Sequence, residues 1–360
     1  MYLKRDDFAI SICLPEPYKT CHEVNFVKID DRVAIIPTGD LKRRILNCGF
    51  LEIGGREYSA KVQSLNLVAG DFRAKYGDVH FEKYFGGETD ALMLETDTTK
   101  RKSIYRILES EFDQAAADYD IRITTNPVER YMRSRTSEIL RRYCKPGSSI
   151  LDIGCGTLRE LSGLQEDVTV TCAELSDSMI LEAKRASNEL GIQKRVEYLK
   201  VSSGIVETHR KYDIVFSSFG YIDLENMGNI AASVTHNLKE SGVFIGCFWN
   251  RHGMLDLMLS LLKGKFAYIR QKTDGKVYPD HSRFSTVTFP KNASAMREIR
   301  GLKEIEKLGI CLVVPPYHMT RALRLLDHMP GLYALDRFMS RLPLIKNFSD
   351  YMIVVMRMSS

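Results

Sequence analysis

Over the first hundred residues, apolar and polar positions change in short runs. Phe8–Ile12, Asn25–Ile29 and Arg32–Ile36 are rich in β-formers and separated by turn residues. Asp30-Asp31 between two such runs predicts a tight hairpin, and Gly54-Gly55 ahead of Glu57–Val62 predicts another. Residues 1–100 therefore read as short strands making a small β-rich N-terminal domain. The polar run Glu95–Lys102 reads as a linker. From Ser103 the period changes: Ile104, Ile107, Leu108, Phe112 and Ala115 recur at helical spacing, and the pattern ends at Asp118-Tyr119-Asp120. A second helix is predicted from about Val128 to Tyr143, with Asn126 as its cap and Pro127 in the first turn.

Beyond Ser148, strand and helix patterns alternate. Ser149–Ile153, Val168–Ala173, Val196–Leu199, Tyr212–Phe216 and Gly242–Phe248 are short apolar runs, with helical stretches such as Asp177–Leu190 and Met227–Leu238 between them. Tyr351–Met356 is a last strong strand. Apolar strands joined by amphipathic helices predict a parallel sheet covered on both faces, an α/β class domain over 101–360.

Composition narrows the class. An apolar share of 44% suits a globular protein, and no run nears the roughly 18 apolar residues that span a bilayer. Acids at Asp6 and Asp7 stand where a signal peptide is apolar, so a cytoplasmic protein is the expectation. The eight cysteines form no CxxC pair, and Cys13, Cys21 and His22 fit no common zinc spacing, so no metal is expected and buried thiols are the reading. Net charge is +5, unevenly placed: 14 Lys/Arg against 16 Asp/Glu in residues 1–100, but 17 against 8 in 251–346. The acidic balance at the start argues against nucleic acid there.

The chemistry concentrates in Asp152-Ile153-Gly154-Cys155-Gly156-Thr157, at the end of the first strand of the alternating region. Glycines at this place let the backbone turn tightly against a ligand. About twenty residues on, the second strand ends in Glu174, an acid placed to bind ribose hydroxyls. A dinucleotide site shows GxGxxG with a pyrophosphate on the helix N-terminus. Here an acid precedes the first glycine, which suits a cationic cofactor better than an anionic one.

These residues resemble the first two motifs of class I S-adenosylmethionine-dependent methyltransferases, and Tyr212–Gly220 resembles that family's fourth-strand motif. The resemblance implies a Rossmann-like seven-stranded sheet over roughly 112–360 and S-adenosylmethionine as cofactor. It implies Glu174 on the adenosine ribose, Leu175 and Met179 flanking adenine, and Ser217 and Ser218 near the transferring methyl. Phe112-Asp113-x-Ala115-Ala116-x-x-Tyr119-Asp120, Asn126-Pro127 and Tyr131-Met132-Arg133 resemble the leading helices of a bacterial small-molecule group, implying Tyr119 and Arg133 as cofactor contacts. Two departures stand out. Leu158 replaces the motif's third glycine, and the third-strand loop lacks an acid, leaving Ser202 or a backbone group to serve the adenine.

Methyl displacement needs alignment and exclusion of water more than fixed catalytic groups. A base is needed only for a weakly acidic acceptor. Tyr221 and His252 are the candidates, with Asp223 a further option and His236 structural. Residues 251–345 carry crowded Leu and Met positions, read as a cap over a small-molecule acceptor, with packing or a lipid-facing role as alternatives. The other functional readings are an RNA or protein methyltransferase that recognises its target through residues 1–100, and a non-catalytic cofactor-binding protein.

Overall fold

The computed structural model describes residues 9–14, 18–29, 32–53, 56–95, 104–278, 287–316, 329 and 331–359. The chain divides into two compact units, Met1–Ile107 with Tyr278–Val287, and Leu108–Val277 with Thr288–Ser360.

The first unit is a closed six-stranded barrel. Its strands are β1 (Ala9–Cys13), β2 (Cys21–Ile29), β3 (Arg32–Ile35), β4 (Phe50–Ile53), β5 (Arg56–Ser64) and β6 (Asp90–Glu95), in the order β1-β2-β3-β6-β5-β4. Strand alternation explains how it fills: Phe26, Ile35 and Leu94 point into one core, while their neighbours Val27, Ala34 and Met93 point into another. Pairing of Ile29 with Arg32 and of Ile53 with Arg56 makes the two expected hairpins. Their turn residues, Asp30-Asp31 and Gly54-Gly55, lie outside the described residues, as do Phe8 and most of the expected linker.

Three helices correct the all-strand reading of this unit: α1 (Gly39–Cys48), α2 (Ala69–Tyr76) and α3 (Asp78–Phe85). Phe72, Phe81 and Phe85 close the second core from outside the barrel. The period-3.6 signal in these short segments is broken by Gly77 and by the polar turn before β6, which hides it from a sequence window.

Helix α4 (Ile104–Thr125), which enters the second unit at Leu108, runs five residues past its expected end, and α5 (Pro127–Tyr143) follows. The Asn126 side chain accepts from the Val128 and Glu129 amides, as the Asn-Pro pair foretold. Seven strands form one sheet: β7 (Ser149–Ile153), β8 (Thr169–Glu174), β9 (Val196–Lys200), β10 (Tyr212–Ser218), β11 (Leu238–Trp249), β12 (Leu302–Ile310) and β13 (Tyr351–Met358). Their order is β12-β13-β11-β10-β7-β8-β9, with β13 antiparallel to both of its neighbours. Residues of β7 alternate between two cores: Ile150 joins Ile139 and Leu140 of α5, while Leu151 joins Ile230 and Val234 of α8 (Met227–Asn237). The sheet is thus covered on both faces, which is why its strands read as unbroken apolar runs. Helix α6 (Asp177–Glu189) links β8 to β9, and the single turn α7 (Tyr221–Leu224) follows β10.

After β11 come α9 (Met254–Leu262) and α10 (Phe266–Asp274), then β12 and α11 (Gly331–Met339). Asp336 of α11 is fully buried and accepts the amides of Cys311, Leu312 and Val313 at 3.1, 2.7 and 2.9 Å, and the Tyr131 hydroxyl at 2.9 Å. One carboxylate thereby satisfies the backbone that leaves β12, including Cys311 at φ +59°. Among the described residues, no helix is long and apolar enough to cross a membrane.

The cysteines depart from the free-thiol reading. Cys13 and Cys21 face each other across the β1–β2 ladder and form a disulfide, and Cys155 and Cys172 form a second. Strand register brings the first pair together, and the glycine turn after β7 folds Cys155 back against Cys172 of β8. Cys48, Cys144, Cys247 and Cys311 are buried thiols as expected.

Replacing Asp336 with Ala orphans several buried amides at once. A loss of about 3 kcal/mol in urea unfolding is expected, with part of it recovered in Asp336→Asn, whose oxygen still accepts.

Candidate functional site

The chain passes from β7 to β8 and β9 on one side, then returns through β10 and β11 on the other. A crevice opens at the carboxyl ends of strands where such a sheet reverses direction, here between β7 and β10. A pocket lies there, lined by the glycine turn after β7, by Phe216 and Ser218 of β10, and by Tyr119 of α4 and Arg133 of α5.

The turn after β7 is built by its backbone. Gly154 and Gly156 sit at φ +71° and +52°. A Cβ on Gly154 would come within 3.1 Å of the Tyr221 Cβ, so α7 packs directly on the turn. Leu158 adopts φ +57° without being glycine and is fully buried. It occupies the left-handed place that a third glycine would fill, and its side chain joins the core beside α5. The departure from the family pattern therefore exchanges backbone ease for burial.

Carboxylates dominate the site. Asp152 is 2% exposed and has no side-chain hydrogen bond among the described residues. Burial, with Glu160 and Glu174 nearby, raises its pKa well above the usual carboxylate value. Glu174 ends β8 and accepts the amides of Gly156, Leu175 and Ser176 at 3.1, 2.7 and 3.2 Å. Burial raises its pKa too, opposed by those amides. Three amides fill all but about one of a carboxylate's four acceptor positions.

Arg133 donates to Glu160 at 3.2 Å and to Asp120 at 3.4 Å. Asp120 also takes the Thr157 hydroxyl at 2.6 Å and Arg159 at 2.7 Å. Helix α4 is thus tied to the glycine turn by one acid. Two turns earlier on the same face, Asp113 takes the Ser176 hydroxyl and the Ser178 amide at 2.6 and 3.0 Å, tying α4 to the start of α6.

Of the residues expected at the site, Tyr119, Arg133, Asp152, Gly154, Gly156, Thr157 and Ser218 line this pocket. Glu174 reaches it through the Gly156 amide. Leu175 follows directly, and Met179 is buried in the first turn of α6. Ser217 is buried and donates to the Ile153 carbonyl at 2.9 Å, so it joins strands instead of facing a ligand. Ser202 is exposed in a separate depression formed by the loop after β9.

The two candidate bases fare differently. Tyr221 directs its hydroxyl away, donating to the Gly204 carbonyl at 2.7 Å and meeting the Ser233 hydroxyl at 2.8 Å. It supports the turn through its Cβ and is not placed as a base. His252 is exposed beyond β11 and outside the pocket lining. Partial burial, with Arg251 and Lys272 near, holds its pKa below the ordinary histidine value. Asp223 is buried and accepts the Trp249 amide at 2.9 Å. Glu160 and Asp120 are the acids that sequence reasoning gave no role. Asp120 shares a helical face with Asp113 seven residues earlier, a detectable signal, whereas Glu160 follows an irregular turn and carries none.

Residues 150–242 match the family model described as a methyltransferase domain. That match runs from β7 to the start of β11, and the seven-stranded sheet with its reversed strand is in keeping with a class I S-adenosylmethionine-dependent methyltransferase domain. An uncharacterized protein of Methanocaldococcus jannaschii is 28% identical over 163 residues, 45% of this chain and 60% of its own length. The malonyl-[acyl-carrier protein] O-methyltransferase of Acetivibrio thermocellus is 27% identical over 141 residues, 38% of this chain and 47% of its own. The chain thus spans about half the length of the curated relatives it matches. A methyltransferase of Thiobacillus denitrificans solved with S-adenosyl-L-homocysteine is 18% identical, with a TM-score of 0.42 over 68% of this chain and 98% of that one. A second, from Geobacter sulfurreducens, is 16% identical, with a TM-score of 0.41 over 69% and 98%.

For Leu158→Gly, relief of the positive φ gains about 1 kcal/mol and loss of the buried side chain removes about 3, so a net loss of about 2 kcal/mol is expected in urea unfolding. A variant more stable than the parent would show that strain outweighs packing here.

Proposed function

We propose that the second unit binds S-adenosylmethionine behind the glycine turn and transfers its methyl group to a small-molecule acceptor. The observation that carries this reading is the buried carboxylate set. Asp152 lacks a hydrogen bond, and neither it nor Glu174 has a cation in ion-pair contact among the described residues. A buried acid without a partner at Asp152, beside the amide-bound Glu174, suits a cationic ligand better than a pyrophosphate.

When bound, S-adenosylmethionine supplies a methyl carbon already activated by a positive sulfur. This chain's residues then have three tasks. Glu174 offers its remaining acceptor position to a ribose hydroxyl while its other contacts fix the glycine turn. Asp152 and Glu160 place carboxyl oxygens beside the cationic end, whose positive charge favours ionisation of the buried Asp152. Phe216 and Tyr119 wall the pocket and exclude water. Ser218, at the end of β10, faces the opening where an acceptor meets the methyl group. An acceptor hydroxyl needs a base, and His252 is the side chain on that rim whose neutral form prevails at pH 7. Residues of the 251–345 segment supply the remaining acceptor contacts. The Acetivibrio relative's name, an O-methyltransferase, supports methyl transfer as the class of reaction without fixing the acceptor.

Calorimetric titration with S-adenosyl-L-homocysteine tests the binding step. Saturable binding is expected, weakened at least tenfold, about 1.4 kcal/mol, in Glu174→Ala. Absence of binding in the parent, or equal binding in the variant, sinks the reading. Transfer to a hydroxyl acceptor is expected to hold its rate from pH 8 down to about 7 and to fall as pH drops through the lowered His252 pKa, where the base is lost. His252→Gln should flatten that fall; an unchanged profile removes His252 from the chemistry.

A further inference from the structure

Helix α9 is amphipathic in the inverted sense. Its polar Asp256 and Ser260 are 1% exposed, while Met254, Met258, Leu261 and Leu262 are 45, 53, 55 and 82% exposed. The first pair recurs at i, i+4 and the second group at i, i+4, i+7, i+8, so the polar stripe faces the protein and the apolar stripe faces water. A buried ionic group explains the polar side. Lys272 of α10 donates to Asp256 at 2.5 Å and lies 3.6 Å from Asp350, and the Tyr268 hydroxyl also donates to Asp256. This group clamps α9 to α10 as one rigid hairpin.

Leu262, at the tip of that hairpin, is the most exposed large apolar side chain among the described residues of the unit. Seven consecutive residues, from Leu261 to Ala267, are exposed. They include Leu262, and Phe266 at 67% exposure. Lys263 and Lys265 stand between those two side chains, and the exposed Arg270 lies 3.8 Å from Asp274 on the next turn. From Leu257 to Thr273 the sequence has four Lys/Arg and no Asp or Glu. Nothing among the described residues covers this tip.

We propose that the α9–α10 hairpin docks this protein on an anionic lipid surface, with Leu262 and Phe266 entering the headgroup boundary and Lys263, Lys265 and Arg270 meeting lipid phosphates. Charge complementarity selects this occupant: an apolar tip flanked by the exposed Lys263 and Lys265, with Arg270 shared with Asp274 one turn on, matches a negative, deformable surface. Two large side chains on a narrow projecting turn also suit insertion better than packing on a preformed protein face. The inference is independent of the cofactor reading, since the hairpin shares no residue with the pocket.

Co-sedimentation of the full chain with phosphatidylcholine vesicles, with and without phosphatidylglycerol, is the test. Binding to the anionic vesicles alone is expected, falling as salt rises. Leu262→Asp with Phe266→Asp should lower the partition coefficient at least tenfold while leaving the circular-dichroism melt unchanged. Lys263→Glu with Lys265→Glu should weaken it as well. A Leu262→Trp variant should shift its emission to shorter wavelength on the anionic vesicles. The proposal is overturned by absence of vesicle binding in the parent, by binding that ignores lipid charge, or by an unshifted Leu262→Trp emission. A parent that self-associates through this tip in place of binding vesicles overturns it too.

Discussion

Two carboxylates withheld from water at the ends of adjacent parallel strands are the constraint on which the second unit turns. Asp152 lies opposite Cys172 in the β7–β8 ladder, and Glu174 ends the same β8 two residues later. Both have raised pKa values because burial disfavours their charge. An acid whose pKa is raised in the folded state costs stability as pH rises through that value, so ionising this corner works against the fold. The fold keeps it by supplying backbone amides to Glu174 and by fastening α4 and α5 over the turn through Asp113, Asp120 and Arg133. A ligand bearing positive charge meets an unbalanced need there, which links the instability of the corner to its use.

The sheet makes this arrangement available. Parallel strands buried on both faces leave only their ends open to ligands, and the reversal of direction between β7 and β10 opens one such end. The disulfide between Cys155 and Cys172 joins the glycine turn to the strand that carries Glu174. Leu158 adds a side chain to the core at a place where backbone freedom alone would serve. The turn is therefore fixed by covalent, packed and hydrogen-bonded contacts together, which favours preorganisation over mobility.

A different balance governs the segment that follows β11. There a buried group of one lysine and two aspartates holds a helix pair whose apolar stripe is left outside. Burial pushes the Asp350 carboxyl up to about 7, with Lys272 opposing it and Asp256 reinforcing it. Buried charge clusters of this kind give little net stability but fix geometry. Here the fixed geometry is a hairpin that presents Leu262 and Phe266 to the surroundings.

Much of this was legible beforehand. The parallel sheet followed from apolar runs spaced by amphipathic helices, the start of α5 from Asn126-Pro127, and the cofactor turn from Asp152, Gly154, Gly156 and Glu174 in register. Each of these is a local or periodic signal, carried within about 25 residues. Helices α1 to α3, the cysteine pairs and the roles of Asp120 and Glu160 were not legible, because each depends on partners that only folding brings near. Tyr221 shows the limit most plainly. Its position after β10 was readable, but the direction of its hydroxyl is decided by Gly204 and Ser233, which belong to other elements. The sequence by itself determined which strands form and where the chain must turn, because backbone conformation and burial are set by neighbours along the chain. Only the tertiary structure decided which side chains face the pocket, which carboxylates lack a partner, and that α9 turns its apolar stripe outward, because those depend on contacts between segments far apart in sequence.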